Sequence, residues 1–368
     1  MPGSRKGAGL PRNKMIDLFR PYVPKEAREA VDEVLRSRFI GQGPKVDEFE
    51  KTFENKFSVP HAIALNSGTA ALETAYELLN LGPGDEVITT PLTCTATNLL
   101  LLRRGVKIVW ADILEKSLCI SPVDVYSKIN EKTKAVVQVH LGGIKADVGF
   151  IHNIPVISDA AQALGIFNGD YTCCSFQAIK QVTTIDGGMF ITKNKEDAHN
   201  AKLLRWFGID RDVKIANNWQ AYKERKMTFD IELPGTKRHM HDVSASMGIV
   251  GLNHYDKIIS HNKKLFYIYK ERLDGLDGIK IVDGETNLCW LFTVLVDDRD
   301  DFAKMLFEAD VDTNVVQVRN DIYKIFGGER ADLPVMNKVE HRYLSLPIGM
   351  HVHEDHVHYI CDQIEKGW

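Results

Sequence analysis

Residues 61–80 read HAIALNSGTAALETAYELLN, and this stretch decides the fold class. A short apolar run, His61–Leu65, is followed by a turn at NSGT and then by a segment with helical spacing of its apolar residues. The same succession of apolar run and helical segment recurs through the first two-thirds of the chain. Strands that alternate with helices predict an α/β domain whose mostly parallel sheet is covered on both faces.

Seven strands are predicted in this region, and the residues that follow them are candidates for a binding site. The strands are residues 61–65, 85–90, 106–111, 134–140, 155–158, 172–176 and 188–192. Ligands of such sheets bind at the carboxyl ends of the strands. The polar residues at these ends are Asn66, Ser67, Gly68, Thr69, Thr93, Cys94, His140, Asp159 and Ser175.

The pattern changes after about Asp242. A long polar helical stretch, residues 243–273, leads to strands predicted at 279–282 and 289–296 and to a last helix at 354–365. The sequence therefore predicts three parts. These are a disordered arm or cloning remnant at residues 1–14, a large domain at 15–245, and a smaller α+β domain at 246–368.

Composition excludes several classes of protein. The chain has 368 residues, 44% of them hydrophobic, which is enough for two domains. A net charge of -4 and a pI near 6.4 give no electrostatic case for nucleic acid or an anionic membrane. The N-terminus lacks the apolar core of a signal peptide, and the longest apolar helical stretch is too short to span a bilayer. Six cysteines without a CxxC pair favour a reducing cytoplasm.

A second stretch, SFQAIKQVTTIDGG at residues 175–188, places Lys180 between an apolar run and a glycine-containing loop. A lysine with restricted solvation can hold an aldehyde cofactor as a Schiff base. If the cofactor is a pyridine, a carboxylate at a strand end keeps its nitrogen protonated, and Asp159 in VISDAAQALG is suitably placed. A phosphate needs N–H groups at a helix start and nearby hydroxyls, which residues 67–70 and Ser175 supply.

Each of these motifs is common by itself, because Asp or SGT before a helix is usually a cap and a loop lysine is usually solvated. Their joint order is specific. In this order of motifs the chain resembles the sugar aminotransferases of the DegT/DnrJ/StrS family, which are fold type I pyridoxal-phosphate enzymes. The matching stretches are FIGQGPKVDEFEKTF (39–53), ALNSGTAALETAYELLNLGPGDEVITTPLT (64–93), VHLGG (139–143), VISDAAQALG (156–165), SFQAIKQVTTIDGGM (175–189), LLRWFGIDR (203–211) and LSLP (344–347).

The resemblance implies a role for each matched position. Lys180 would hold pyridoxal phosphate covalently and serve as the catalytic acid and base. Asp159 would pair with the pyridinium nitrogen, and Gln162 would lie near the phenolic oxygen of the ring. The phosphate would be bound by Gly68, Thr69 and Ser175.

Two departures from the family pattern concern the cofactor. A loop of the second subunit usually reads GYNYRM or GYKYNM and reaches the phosphate; here residues 235–240 read GTKRHM. Lys237 takes the polar position, whereas Thr236 and Arg238 replace aromatic residues, and a homodimer with shared active sites is implied. Cys94 stands where the family stacks an aromatic ring on the cofactor, a contact that sulfur can also make.

The implied activity is transfer of an amino group from glutamate to a nucleotide-linked keto-deoxysugar, with a 4-keto-6-deoxy sugar favoured, for bacterial surface glycan biosynthesis. Family members that carry histidine at the position of Lys180 are dehydratases, and the lysine here favours a transaminase. Two alternatives stay open: a pyridoxal-phosphate enzyme for another carbonyl substrate, such as a cyclic keto compound or a 3-keto sugar, and a non-catalytic regulator with this fold. Intact Lys180 and Asp159 argue against the regulator.

Two further groups of residues are candidates for binding. Arg205, Arg211 and the stretch QVRND at 317–321 could face a nucleotide, with exposed ion pairs as the alternative. The stretch HVHEDHVHYI at 351–360 carries four histidines, two of which could share a helical face. Because it straddles a predicted helix start, a polar helix start is favoured over zinc, and no metal site is predicted.

Overall fold

The computed structural model describes residues 15–211 and 230–368, so the arm predicted at residues 1–14 lies outside the described residues. The described helices are Ala27–Ser37, Pro44–Phe57, Gly68–Leu78, Thr95–Arg103, Pro122–Lys128, Lys195–Leu204, Asp242–Leu273, Arg299–Glu308, Pro334–Val339 and Glu354–Ile364. The strands are β1 (His61–Leu65), β2 (Glu86–Thr89), β3 (Lys107–Trp110), β4 (Thr133–Val139), β5 (Val156–Asp159), β6 (Tyr171–Ser175), β7 (Gly188–Thr192), β8 (Ile279–Ile281), β9 (Phe292–Val296) and β10 (Tyr343–Leu346).

Strands β1 to β7 form one sheet in the order β1-β7-β6-β5-β4-β2-β3. Strand β7 is antiparallel to both of its neighbours, and the other pairs are parallel. The remaining six strands therefore end at one edge of the sheet. Leu65 and Ser175, the last residues of β1 and β6, both pair with Gly188, the first residue of β7. The predicted α/β fold with a mostly parallel seven-stranded sheet is confirmed, and each strand bound lies within one residue of the prediction.

Helices cover both faces of this sheet, as the nearly continuous apolar strands require. The helices that start at Gly68, Thr95 and Lys195 form a mainly aliphatic core, which also contains Tyr76, Tyr171 and Phe190, on one face. The helix Pro44–Phe57 and the long helix Asp242–Leu273 pack on the other face, around an aromatic cluster. The long helix is less polar than predicted, because its buried side recurs along its whole length. Two buried layers thus hold the carboxyl edge of the sheet in place.

The C-terminal region contains an antiparallel sheet in the order β10-β9-β8 with helices around it. The strand predicted at 289–296 begins only at Phe292, because Trp290 and Leu291 donate their N–H groups to the Gly142 carbonyl of the large region instead. Strand β10 was not predicted. The predicted boundary at 245/246 falls in the first turn of the helix Asp242–Leu273, and the division into domains stays a prediction.

The N-terminal segment of residues 16–19 lies against the C-terminal region. The Ile16 N–H donates to the Asp310 carbonyl over 2.8 Å, and the Asp312 N–H donates to the Ile16 carbonyl over 3.0 Å. The ring of Phe19 stacks on Trp290, with 5.5 Å between ring centroids. The N-terminal segment therefore completes a surface that is formed by residues 290–312.

No helix in the described ranges combines the length and the apolar character needed to cross a membrane. All six cysteines are free, and Cys94 is the exposed one.

Candidate active site

A cavity of about 330 Å³ lies at the carboxyl edge of the seven-stranded sheet. It brings together most of the residues that the sequence predicted for a site. These are Ser67, Gly68, Thr69, Thr93, Cys94, Asp159, Gln162, Ser175 and Lys180. The cavity is also lined by Asp186 and by Gln317, which comes from the C-terminal region.

The floor of the cavity is an anion-binding helix start. Ser67 is the N-cap of the helix Gly68–Leu78, and its hydroxyl accepts the Ala70 N–H over 3.1 Å. A Cβ at Gly68 would lie 2.9 Å from the Ser175 Cβ, and one at Gly188 would lie 2.1 Å from the Ser67 carbonyl oxygen. Only glycine permits this approach of the three chain segments. The helix N–H groups and the Ser175 hydroxyl are thereby gathered where a phosphate would bind.

Asp159, the last residue of β5, is a buried carboxylate with two hydrogen-bond donors. Its Oδ2 accepts the Thr97 hydroxyl over 2.7 Å, and its Oδ1 accepts the Ala161 N–H over 3.0 Å. Burial raises the pKa of this carboxyl, whereas the two donors and the charge of Lys180 oppose the rise. Because Thr97 uses its only proton on Asp159, its oxygen accepts the Thr93 hydroxyl over 3.0 Å. A short buried network therefore fixes and partly stabilises the charged form of Asp159.

Replacing Thr97 by valine is expected to weaken cofactor binding about tenfold. The change keeps the side-chain shape but removes one hydrogen bond to a buried charge, and such a bond contributes roughly 1.5–3 kcal/mol. The dissociation constant should be measured by absorbance titration of cofactor-free protein with pyridoxal phosphate. Thr97→Ser, which keeps the hydroxyl, should bind like the wild type. Equal affinity of the valine variant and the wild type would contradict a role for this hydroxyl.

Lys180 lies in the loop between β6 and β7 and faces the same cavity. Burial is the main cause that lowers the pKa of its amine to about 8, against the opposing charge of Asp159. Its Nζ lies 4.2 Å from the centroid of the Trp290 ring. A substantial fraction of this amine is therefore neutral near physiological pH, as a nucleophile requires.

Gln162 presents its side-chain amide at the opposite wall. Its Oε1 accepts the Gly142 N–H over 2.7 Å, and its backbone carbonyl accepts the Gln181 amide over 3.1 Å. With the oxygen held, the NH₂ group is the part of Gln162 that can donate to an anionic oxygen in the cavity.

Cys94 is the N-cap of the helix Thr95–Arg103 and lines the cavity as an exposed side chain. The lining of the cavity thus carries a small thiol at this position. The open space beside it can accommodate a larger side chain without disturbing a packed core.

Replacing Cys94 by tyrosine is expected to tighten cofactor binding about fivefold, since a stacked ring pair contributes about 1 kcal/mol beyond its buried area. Absorbance titration of the cofactor-free variant measures this. Cys94→Ala is the matched control and should stay within about twofold of the wild type. Weaker binding by the tyrosine variant would show that the wall is shaped for a small residue.

Three predicted residues, Asn66, Lys237 and His140, are not among those that line this cavity. Lys237 is exposed and lies 5.9 Å from the Trp206 ring centroid, outside the lining of the site formed by its own chain. His140 is fully buried, and its Nδ1 accepts the Ala146 N–H over 3.0 Å. Desolvation lowers the pKa of His140 to about 3, so it is neutral at physiological pH.

Arg238, at a lost aromatic position of the family loop, is buried in ion pairs with the helix Gly68–Leu78. Its guanidinium lies 2.8 Å from Glu77 and 3.6 Å from Glu73. Its carbonyl accepts the Asn66 N–H over 2.8 Å. The loop 235–240 is therefore held on the helix that forms the floor of the site.

The candidates for a nucleotide surface are corrected in part. Arg205 is buried, pairs with Glu50 and donates to the Ala64 carbonyl over 3.2 Å. Arg319 is fully buried and bonds Asp321 over 2.6 Å, with Glu340 beside it. Neither guanidinium faces solvent, so both the surface role and the exposed ion pair were wrong for them. Their carboxylate partners explain how these charges are buried.

Arg211 and Gln317 remain at accessible positions. Arg211 donates to the Gln42 side chain and carbonyl over 3.0 and 3.2 Å. Gln317 is the one member of the QVRND stretch that lines the cavity, and Asn320 donates to the carbonyl of the lining residue Thr93 over 2.8 Å.

The histidine-rich stretch is a polar helix start. His353 is the N-cap of the helix Glu354–Ile364, and its N–H donates to the His356 Nδ1 over 3.2 Å. His351 bonds the Asp17 carbonyl over 2.8 Å. Across the described ranges, no three histidine, cysteine or carboxylate side chains are arranged to hold a metal ion.

Sequence reasoning missed Thr97 and Trp290. Thr93 and Thr97 are four residues apart at a helix start that follows a strand, and this spacing could have indicated a polar pair on one face. Trp290 lies 110 positions from Lys180 (290 minus 180), and no local signal connects the two residues.

The site is suited to pyridoxal phosphate on three observations. The glycine-lined floor would hold the phosphate, the buried carboxylate of Asp159 meets the need of a pyridinium nitrogen, and Lys180 offers an amine of lowered pKa. A sheet with one reversed strand among the seven described and this site at its edge has the fold type I of aminotransferases.

Comparison with known proteins makes the assignment specific. The chain belongs to the DegT/DnrJ/EryC1/StrS aminotransferase family, whose profile matches residues 21–365. The chain is 31% identical to the spore coat polysaccharide biosynthesis protein SpsC of Bacillus subtilis, over 96% of this chain and 97% of the relative. It is 31% identical to the UDP-4-amino-4-deoxy-L-arabinose–oxoglutarate aminotransferase of Shewanella sediminis, over 82% and 83% of the two chains.

A solved structure of Spr1654 from Streptococcus pneumoniae in its PMP form superimposes with a TM-score of 0.87 at 26% identity, over 95% of this chain and 98% of that one. The protein described here is therefore a pyridoxal-phosphate-dependent sugar aminotransferase.

Proposed function

We propose that the enzyme transfers an amino group from glutamate to a nucleotide-linked 4-keto-6-deoxysugar. The observation that carries the proposal is the placement of Lys180 and Asp159 on one cavity whose floor is the phosphate-binding helix start. The cofactor, when bound, supplies an electron sink that allows a proton to leave the α-carbon of the amino donor. The residues of this chain bind it, orient it and move the proton.

Lys180 is proposed as the group that moves the proton. As a free amine it would take the α-proton of the amino donor and deliver it to the other side of the transfer, so that one residue would serve as both base and acid. The lowered pKa, about 8, keeps both forms of the amine accessible near neutral pH. Asp159 would keep the pyridine nitrogen of a bound cofactor protonated, and the Thr97 hydroxyl and Ala161 N–H favour its charged form and orient it.

The phosphate is proposed to need a second subunit. Lys180 is the one cationic side chain among the described residues that line the cavity. An exposed Lys237 on a loop anchored by Arg238 could supply a further cation to the site of a partner copy, as the family resemblance implies. This supports a homodimer with shared sites, in which Gly68, Thr69 and Ser175 of one chain and Lys237 of the partner subunit hold the phosphate.

The substrate class is supported by the relatives. The Shewanella relative is named for a UDP-linked 4-amino sugar and for oxoglutarate, which is the keto acid that glutamate leaves behind. The Bacillus relative is named for spore coat polysaccharide synthesis. A 4-keto sugar nucleotide, glutamate and a role in surface glycan synthesis follow by analogy. The six free cysteines fit a cytoplasmic location, where these substrates would be met.

The test separates the two half-reactions. Glutamate is expected to bleach the cofactor absorbance band of the purified enzyme, and a panel of 4-keto and 3-keto sugar nucleotides is then screened for its recovery. Recovery with a 4-keto nucleotide alone supports the proposal. Recovery only with a 3-keto sugar or a cyclic ketone would replace the substrate. No bleaching by any amino donor would favour the non-catalytic alternative.

A further inference from the structure

A second, smaller cavity lies behind Lys180. It measures about 40 Å³, enough for a few water molecules. Lys180 lines both this cavity and the larger one that contains Asp159, so the lysine stands between them. Trp290 forms one wall of the rear cavity and contacts the lysine amine directly, at 4.2 Å from the ring centroid. That distance is within the range of a cation–π interaction.

The Trp290 ring is held firmly. Its Nε1 donates to the carbonyl of Ile179, the residue next to Lys180, over 3.1 Å. Its backbone N–H donates to the Gly142 carbonyl over 3.1 Å, and Phe19 stacks on the ring. Because Trp290 is only 4% exposed, the ring has little freedom to follow the lysine. The lysine side chain is the mobile partner of this pair.

No carboxylate is found among the described lining residues of the rear cavity; the Trp290 ring forms one wall, and Arg20 and Lys180 are the cationic side chains that line it. Two buried acceptors that line it, Asn262 Oδ1 and His351 Nδ1, have no hydrogen-bond partner among the described residues. Nε2 of His351 faces the Asp17 carbonyl and so carries the proton, which leaves Nδ1 as a lone pair. An ammonium or its hydrating waters would satisfy both atoms.

We propose that Trp290 is a positioning residue that holds the free ammonium of Lys180 in the rear cavity during the reaction. The inference rests on the proposed function, in which the lysine is released, takes a proton and gives it up again. After taking the α-proton of the donor, Lys180 is an ammonium in a site that penalises charge. The negative face of the indole ring stabilises that charge and keeps the amine on one side of the reacting carbon.

The test uses cofactor-free protein, so a wrong substrate assignment does not affect it. Trace acylation with acetic anhydride across pH 6–11 and mass spectrometry report the pH at which Lys180 becomes reactive, with exposed Lys51 as internal standard. The wild-type midpoint is expected at about 8. In Trp290→Leu the equilibrium constant for protonation of the Lys180 amine should fall roughly 3- to 10-fold. The midpoint of the acylation profile should then fall by about 0.5–1 pH unit.

Trp290→Phe is the matched control, because it keeps a π face while it loses the Nε1 hydrogen bond and part of the ring area. Its midpoint should stay near that of the wild type. Trp290→Met provides a second non-aromatic variant should the leucine protein fail to fold. Equal shifts in the phenylalanine and non-aromatic variants, or no shift in the latter, would overturn the proposal. A second readout is the single-turnover reaction with α-deuterated glutamate, in which the non-aromatic variants should slow proton transfer about tenfold and show a larger isotope effect.

Discussion

Replacing Lys180 by alanine is expected to lower turnover by at least about 10⁴-fold. The change removes both the nucleophile that binds the cofactor covalently and the base that moves the α-proton, and each role alone is worth orders of magnitude in rate. Steady-state transamination with the acceptor found in the nucleotide screen measures the loss. Borohydride reduction followed by peptide mapping should place the cofactor on Lys180 in the wild type and on no residue in the variant.

Lys193→Ala is the control, because this exposed lysine lies beyond β7 and should leave turnover within twofold. A thermal melt of both variants separates loss of chemistry from loss of fold. Cofactor trapped on a different lysine, or turnover by the Lys180 variant at the wild-type rate, would refute the assignment of the nucleophile.

Replacing Asp159 by asparagine is expected to act in opposite directions on activity and stability. Turnover should fall about 10³-fold, because a neutral amide does not hold the pyridine nitrogen protonated. The free energy of unfolding of cofactor-free protein should rise by about 1 kcal/mol at neutral pH, because a buried charge is removed. Circular-dichroism melts and steady-state kinetics on the same preparations measure both effects.

The stability effect has a definite pH dependence. The folded-state pKa of Asp159 is raised above the ordinary value of 3.8, so folding favours the protonated carboxyl. The contribution of Asp159 to stability is complete below the ordinary pKa of 3.8. It is lost as pH rises through the raised folded-state pKa. The advantage of the asparagine variant should therefore be absent in acid and grow toward neutral pH. A difference that is the same at every pH would contradict the buried-charge explanation, and Asp186→Asn at the exposed rim is the control.

The parts of the site that could be predicted are those encoded within one strand-and-loop unit. Asp159 and Ser175 are the last residues of β5 and β6, Gly68 lies three residues beyond β1 (68 minus 65), and the direction of parallel strands brings these ends to one edge. Lys180 follows β6 within five residues (180 minus 175) and was found for the same reason.

The parts that could not be predicted depend on contacts between distant segments. Gln317 and Trp290 reach the site from the C-terminal region, and nothing near them in sequence marks that destination. Arg319 was assigned to the surface because arginine is rarely buried without partners. One partner, Asp321, is only two residues away in sequence, whereas Glu340 meets Arg319 only once the helix Pro334–Val339 is in place.

The pairing of Ile16 with Asp310 and Asp312 has a consequence for synthesis of the chain. The ribosome makes Ile16 early, but its partners emerge roughly 300 residues later, after about 15–60 s at common elongation rates. During that time the segment with Phe19 has no docking surface, whereas the seven-stranded sheet can already form. Phe19 can meet Trp290 only once 271 further residues have been made (290 minus 19). The wall behind Lys180 is therefore completed more than 100 residues after the lysine itself has been synthesised (290 minus 180).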